Sequence, residues 1–238
     1  MVVSSPGPWG RMPHECVAIH SYTLMSEEFV STCHIPTYEA FLHAADLSPV
    51  YCWQKRFLQY LQLGRPNRRW VLKAPDHVYG LDKLLTVFQD AAIIQTHRNP
   101  VDVLKSQIQL TQVLEAIYAR PVARDRLGIS EARKVKQILD YIIRFRDAHR
   151  DAAGKFIDIT YRGLVSDPME VVQRIYERLD IRLTDVAAQR MQRLALSRSR
   201  YERRGPSPIS ADLGLDCSAE RPRFEDYCSR SEIPCQLD

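Results

Sequence analysis

The chain has 238 residues, of which 45% are hydrophobic and 26% are charged, and its formal net charge is +4 at pH 7. This length is sufficient to bury a core, and the apolar fraction is too high for a disordered chain. No apolar run approaches the roughly 20 residues of a membrane-spanning helix, and residues 1–11 lack the apolar centre of a secretion signal.

The six cysteines show no CxxC pair and no zinc-ligand spacing, so we expect reduced thiols and a cytoplasmic protein. The mild positive charge suits a small anionic ligand.

The N-terminal part is predicted to form short helices. Amphipathic segments cover residues 15–22, 26–32 and 38–45, with turn residues between them. Residues 50–63 place apolar side chains at helical spacing and are followed by a glycine, which predicts a longer helix.

The middle of the chain alternates between strand-like and helix-like segments. Apolar runs at 69–73, 91–96 and 155–160 predict buried strands. Helices are predicted at 77–88, 100–118, 130–150, 167–179, 184–196 and near 220–227, with a linker at 121–128. This alternation predicts a parallel sheet with crossover helices, in which the strands 69–73 and 91–96 are neighbours.

Together these segments predict one helix-rich α/β domain over residues 1–238. It would consist of a loop-rich cap at 1–49, an α/β core at 50–200 and an irregular tail at 201–238. A sheet edge without a neighbouring strand can pair with another copy of the chain, so a homo-oligomer is one expectation.

Two of the predicted strands end in charged loops that lead into helices. The first loop contains Lys73, Asp76 and His77, and the second contains Arg98 just before a helix start. At the carboxyl ends of such strands, helix N-termini offer unpaired N–H groups to anions. Arg98, through its planar guanidinium, and Ser106, through its hydroxyl, could hold one phosphate group.

The same residue types also have structural interpretations. A cation before a helix often pairs with a nearby carboxylate, and a serine inside a helix often bonds its own backbone. Asp76 and His77 could cap the following helix instead of taking part in chemistry. Spacing alone leaves these alternatives open.

The stretch 70–106, WVLKAPDHVYGLDKLLTVFQDAAIIQTHRNPVDVLKS, resembles the central signature of sulfotransferases that use 3′-phosphoadenosine 5′-phosphosulfate (PAPS), most closely the broad microbial-type group. The resemblance continues in ITYRGLVSDPMEVVQRIYERLDIRLT at 159–184, in MPHECVAIHSY near the start and in DLGLDCSAERPRFEDYC near the end. It covers most of the chain. Gln89 stands where the pattern has proline, and Asn99 where aspartate is commoner.

The resemblance implies a parallel-sheet, P-loop-NTPase-like sulfotransferase fold and transfer of a sulfonate group from PAPS to a hydroxyl or amine of a small-molecule or carbohydrate acceptor. It implies that Arg98 and Ser106 hold the 3′-phosphate of PAPS and that Tyr161 lies near the adenine. It places His77, whose ordinary pKa lies near neutrality, as the general base and Lys73 as the cation at the bridging oxygen. No metal site is expected.

One part of the family pattern is absent from the 238 residues. Sulfotransferases bind the 5′-phosphosulfate with a Gly/Ser/Thr-rich loop after the first strand, in which glycine lets backbone N–H groups approach oxygen atoms. The only close glycine pair, Gly7 and Gly10, has no strand before it and no lysine or hydroxyl in the required place. We therefore expect a fold truncated at its N-terminal strand and loop, with impaired activity.

Two other functions fit parts of the sequence. A non-catalytic sulfotransferase-like remnant that binds nucleotides or partner proteins would account for the absent loop. A nucleic-acid binder would use the arginines at the C-terminal side, namely Arg190, Arg193, Arg198, Arg200, Arg203 and Arg204. Because only Tyr201 is interleaved, a solvated helix end explains that run better, and we expect no nucleic-acid partner.

Overall fold

The computed structural model describes residues 15–64, 69–118, 123–202, 213 and 215–234, with the backbone alone at 198–202. The described residues gather into two compact units. The first unit takes its residues from 1–90 and 108–127, and the second from 91–107 and 128–238.

Helices make up most of the secondary structure in both units. The helices before the first strand are α1 (Val17–Ser21), α2 (Glu27–Thr32), α3 (Pro36–Ala44), α4 (Ser48–Leu61), a 3₁₀ helix (Pro75–Gly80) and α5 (Leu81–Val87). The elements that follow are β1 (Ile93–His97), α6 (Pro100–Tyr118), α7 (Arg124–Ala148), a 3₁₀ helix (Arg150–Lys155), β2 (Phe156–Thr160), α8 (Tyr161–Ser166), α9 (Pro168–Arg178), α10 (Asp185–Glu202), a 3₁₀ helix (Arg221–Phe224) and α11 (Glu225–Arg230). None of these described helices is both long and apolar enough to cross a membrane.

The two strands pair in parallel, with Ile93 opposite Phe156 and His97 opposite Thr160. A parallel pair requires a long crossover connection, and α6 and α7 lie between the two strands in the sequence. Each strand is followed by a helix, β1 by α6 and β2 by α8. The helix-rich, parallel α/β class is thereby confirmed, as are the strands predicted at 91–96 and 155–160, with bounds shifted by one or two residues.

Residues 69–73 form no strand, so the buried strand predicted there and its pairing with 91–96 are wrong. The side chains of Trp70, Val71 and Leu72 are exposed, that of Val71 by 92%. The carbonyl of Lys73 accepts the Cys16 N–H at 2.9 Å, a contact with a helix start and not with a strand. An apolar, β-branched run becomes a strand only where a neighbouring strand supplies backbone partners, and composition does not reveal that partner.

The predicted helices are largely confirmed, and α6 has the predicted bounds Pro100–Tyr118. Pro100 occupies its first position, and the Oδ1 atom of Asn99 accepts the Val101 N–H at 3.0 Å. Asparagine therefore caps this helix as the commoner aspartate would. The short helices predicted at 15–22, 26–32 and 38–45 correspond to α1, α2 and α3.

Two predicted boundaries are wrong. The linker at 121–128 ends earlier, because α7 begins at Arg124 and includes Gly128. A single glycine costs a helix only about 1 kcal/mol, which a long amphipathic helix tolerates. The helix predicted at 77–88 is a 3₁₀ helix up to Gly80, and only the residues that follow it are α-helical.

The core of the first unit forms around α4, which packs on α1 and α5. Val50, Tyr51 and Gln54 of this helix are all buried. A fully buried glutamine requires hydrogen-bond partners, so α4 brings polar chemistry into the core. In the second unit, β2 packs on α8 and α9.

Candidate active site

Arg98 occupies the turn between the end of β1 and the start of α6. Its guanidinium carbon lies 4.5 Å from the centroid of the Tyr161 ring, at the position where α8 follows β2. The parallel register of the two strands explains this contact, because it brings both strand ends to the same edge of the sheet. Among the described residues no carboxylate pairs with Arg98. The structure therefore does not show the ion pair that was the alternative interpretation of this cation.

Ser106 lies in the second turn of α6, and its side chain is exposed. Within the described part of the chain its hydroxyl forms no hydrogen bond with the backbone. The helix has 19 residues, and its N-terminus, two residues after Arg98, carries a partial positive charge. The second unit thus combines a guanidinium, a helix N-terminus and a hydroxyl on one short segment of chain.

His97 anchors the strand end that precedes Arg98 in a polar network that the sequence did not reveal. Its Nδ1 atom is 2.9 Å from Tyr227 Oη, and its Nε2 atom is 2.8 Å from Asp158 Oδ1. Asp158 also accepts two hydrogen bonds from Arg146, at 2.6 and 2.8 Å. These bonds hold the pKa of Asp158 below its ordinary value and raise the pKa of Arg146. The network connects α7 and α11 to β1, and thereby fixes the backbone from which Arg98 extends.

His77 lies in the 3₁₀ helix of the first unit and is mostly buried. Its Nδ1 atom is 3.3 Å from Tyr51 Oη, and its ring centroid is 5.4 Å from that of His20. Burial lowers the pKa of His77 to about 4, the Asp76 carboxylate opposes the shift, and the charge of His20 adds to it. The imidazole of His77 is therefore neutral at pH 7.

Asp76 does not cap the helix that follows it, so the capping interpretation is wrong. The residues before the two helical segments are Ala74 and Gly80, and neither makes a side-chain capping bond. Asp76 instead places Oδ2 3.2 Å from His20 Nδ1, and His20 Nε2 is 3.0 Å from Gln54 Oε1. His20 was missed as a functional candidate, and its only signal was its place in the segment MPHECVAIHSY.

Lys73 forms an ion pair with Glu15, and the two side chains are 68% and 42% exposed. Exposed ion pairs of this kind contribute about 0–1 kcal/mol, so an anionic ligand can replace Glu15 at little cost. The five predicted residues thus fall into two groups, with Lys73 and His77 in the first unit and the other three in the second.

Solved sulfotransferase structures are similar to this chain. The sulfotransferase STF9 from Mycobacterium avium matches with a TM-score of 0.84 at 28% identity, over 100% of this chain and 62% of that one. The sulfotransferase STF1 from Mycobacterium tuberculosis H37Rv matches with a TM-score of 0.75 at 28% identity, over 90% of this chain and 55% of that one.

Curated relatives point the same way. The omega-hydroxy-beta-dihydromenaquinone-9 sulfotransferase Stf3 of Mycobacterium bovis, and that of Mycobacterium tuberculosis, are 26% identical over 152 residues, or 61% of this chain. The matched region spans 38% of the length of these relatives. The sequence profile of the sulfotransferase family matches residues 11–185. The chain belongs to the sulfotransferase family.

Proposed function

We propose that this chain transfers a sulfonate group from PAPS to a hydroxyl or amine of a small-molecule or carbohydrate acceptor. The observation that carries the proposal is the Arg98 guanidinium, which stacks on Tyr161 beside the N-terminus of α6 and has no carboxylate partner among the described residues. This arrangement fits a nucleotide phosphate, because a planar guanidinium binds phosphate oxygens in pairs and a helix N-terminus adds unpaired N–H groups.

The second unit would hold the nucleotide. Arg98 donates two parallel N–H bonds to the 3′-phosphate, and Ser106 adds its hydroxyl. Tyr161 contributes an aromatic face for the adenine, while its ring also orients the guanidinium at 4.5 Å.

The first unit would act on the acceptor. When bound, PAPS supplies the sulfonate group and adenosine 3′,5′-bisphosphate as the leaving group. His77 accepts the acceptor's hydroxyl proton as that oxygen bonds to sulfur and the bond from sulfur to the leaving phosphate oxygen breaks. In the required tautomer the Nδ1–H of His77 donates to Tyr51 Oη, which leaves the Nε2 lone pair free. Lys73 leaves its ion pair with Glu15 and binds the oxygen of the leaving group. There its positive charge offsets the negative charge that develops on that oxygen.

The pKa of His77 limits the rate of this chemistry. A general base works best when its pKa lies near the working pH, and a pKa of about 4 makes His77 a weak base. We place its contribution at the lower end of the ~10²–10⁴-fold range of general bases. Cationic side chains fill the charge-stabilising role, so the proposal includes no metal ion.

The cellular setting and partners complete the proposal. The five described cysteines are free thiols, which suits a cytoplasmic location. Arg190 and Arg193 are exposed on α10, as expected for a solvated helix face, and we include no nucleic-acid partner. A second function, nucleotide binding without catalysis, is favoured by one observation: burial lowers the pKa of His77, the proposed base, to about 4, which makes it a weak base at pH 7.

Transfer of a radiolabelled sulfonate group distinguishes the two functions. The purified chain is incubated with labelled PAPS and with phenol, sterol and sugar acceptors, and adenosine 3′,5′-bisphosphate binding is measured in parallel. We expect the chain to bind the bisphosphate and to form product roughly 10²–10³-fold more slowly than an ordinary turnover of about 10 s⁻¹. Turnover should be slow because the 238 residues lack the backbone donors of the phosphosulfate loop.

Two variants make this assay specific. Lys73→Ala should abolish product and leave bisphosphate binding intact, whereas Lys83→Ala, an exposed lysine on α5, should change neither. Binding without any product would support the non-catalytic function. Neither binding nor product would overturn both.

A further inference from the structure

The outward face of α4 is aromatic, although the opposite face of the same helix already packs in the core. Tyr51 and Leu58 are buried, whereas Trp53 and Tyr60 are 39% and 70% exposed. Trp53, Phe57 and Tyr60 follow each other at intervals of four and three residues, so they lie on one face of the helix. A surface helix normally presents polar or charged side chains to water. This outward face therefore has the composition of a contact surface.

The aromatic face continues onto the end of α1. The Tyr22 ring stacks on the Phe57 ring with centroids 6.2 Å apart, and the Trp53 ring lies 6.3 Å from that of Phe57. Leu24, which follows in the turn after α1, is 73% exposed and has a φ of 56°, a conformation that is uncommon for leucine. The Tyr38 hydroxyl donates to the Leu24 carbonyl at 2.9 Å and holds this turn. We define the aromatic surface as Tyr22, Leu24, Trp53, Phe57, Tyr60 and Leu61.

The segment that carries most of the aromatic surface is cationic. Every charged residue between positions 48 and 72 is a lysine or an arginine, namely Lys55, Arg56, Arg65, Arg68 and Arg69. Arg56 is exposed on α4, one turn before Tyr60, and no carboxylate pairs with it in the part of the chain that the structure describes. Tryptophan and tyrosine rings lie at the headgroup level of membranes, and cations near them attract anionic lipids. The aromatic surface therefore complements an anionic bilayer in both polarity and charge.

We propose that the aromatic surface binds the surface of an anionic lipid bilayer, with its rings at the headgroup level and Arg56 on lipid phosphates. A second copy of the chain is a poorer occupant, because pairing through the same face would bring its cations together. The inference goes beyond the proposed function, since it concerns where the chain is held and uses no residue of the proposed catalytic chemistry.

Sedimentation with lipid vesicles tests the proposal on the full chain at pH 7. One set of vesicles contains equal parts of phosphatidylglycerol and phosphatidylcholine, and the other contains phosphatidylcholine alone. We expect the chain to bind the anionic vesicles roughly tenfold or more tightly, and to bind them less well as the salt rises from about 0.1 M to about 1 M. Equal binding to both sets, or no binding to the anionic vesicles, would overturn the proposal.

Two variants at exposed positions locate the contact. Tyr60→Ser should weaken binding to the anionic vesicles several-fold, whereas Tyr118→Ser, the same change at an exposed tyrosine of α6, should leave it unchanged. Arg56→Gln should weaken binding about fivefold. Arg190→Gln removes the same charge from an exposed position of α10 and should have no effect. If Tyr60→Ser and Arg56→Gln bind the vesicles as tightly as the unmodified chain, the proposed surface is wrong.

Sedimentation equilibrium without lipid examines the other occupant, a second copy of the chain. We expect Tyr60→Ser to leave the mass of the sedimenting species unchanged. A dimer of the unmodified chain that dissociates in the Tyr60→Ser variant would show that a second copy covers the aromatic surface, and would overturn the proposal. Adenosine 3′,5′-bisphosphate binding, measured on the same samples, reports on the proposed function alone.

Discussion

Replacing Arg98 by alanine is expected to weaken adenosine 3′,5′-bisphosphate binding by about 100-fold or more. The guanidinium would donate two charge-assisted hydrogen bonds to the 3′-phosphate, each contributing about 1.5–3 kcal/mol, and each 1.4 kcal/mol is a tenfold change in affinity. Isothermal titration calorimetry of the purified variant measures the loss. Arg98→Lys should give an intermediate affinity, because the charge remains while the paired donors are lost.

Arg178→Ala is the matched control for this prediction. Arg178 is an exposed arginine at the end of α9, in the same unit as Arg98. Its removal lowers the net charge by the same amount and should leave the affinity unchanged. If the two alanine variants bind the bisphosphate equally well, Arg98 does not hold the phosphate.

The free energy of unfolding is expected to fall by about 3 kcal/mol between pH 6.5 and pH 4 because of His77 alone. The unfolded residue takes up a proton near pH 6.5, whereas the folded one, with a pKa of about 4, does not. In this window the unfolded state binds more protons, so stability falls as the pH falls, by about 1.4 kcal/mol per unit of pKa difference. Above pH 6.5 both states are neutral and the contribution disappears.

Urea denaturation of His77→Gln at several pH values checks this prediction. The variant should lose the part of the pH dependence that belongs to His77 and keep the rest. His34→Gln, which removes an exposed histidine, is the matched control and should keep the part of the pH dependence that belongs to His77. Parallel curves for the unmodified chain and His77→Gln would show that burial does not lower the pKa of His77.

Local sequence determined the elements that were predicted well. Pro100 and Asn99 define the start of α6 through contacts between residues that are neighbours in the sequence. The sequence alone therefore predicts where this helix begins. The strands at 91–96 and 155–160 are short apolar runs followed by helix starts, and the parallel register then places Arg98 beside Tyr161. Residues 69–73 have a similar composition, but a strand needs a backbone partner from another part of the chain.

The parts of the site that were missed depend on contacts between distant residues. His20 and Asp76 are 56 positions apart, and His97 and Tyr227 are 130 positions apart. No periodicity encodes such pairs, because each forms only when separate helices pack together. The lowered pKa of His77 has the same origin, since it follows from burial in the folded chain and not from the residue type.

The preference of the unmodified chain for a nucleotide with a 3′-phosphate shows whether Arg98 and Ser106 hold that phosphate. Isothermal titration calorimetry compares adenosine 3′,5′-bisphosphate with adenosine 5′-monophosphate, which differs only by the absent 3′-phosphate. We expect the bisphosphate to bind about 100-fold more tightly, the same factor as the loss expected for Arg98→Ala. Equal affinities, or no binding of the bisphosphate to the folded chain, would contradict it.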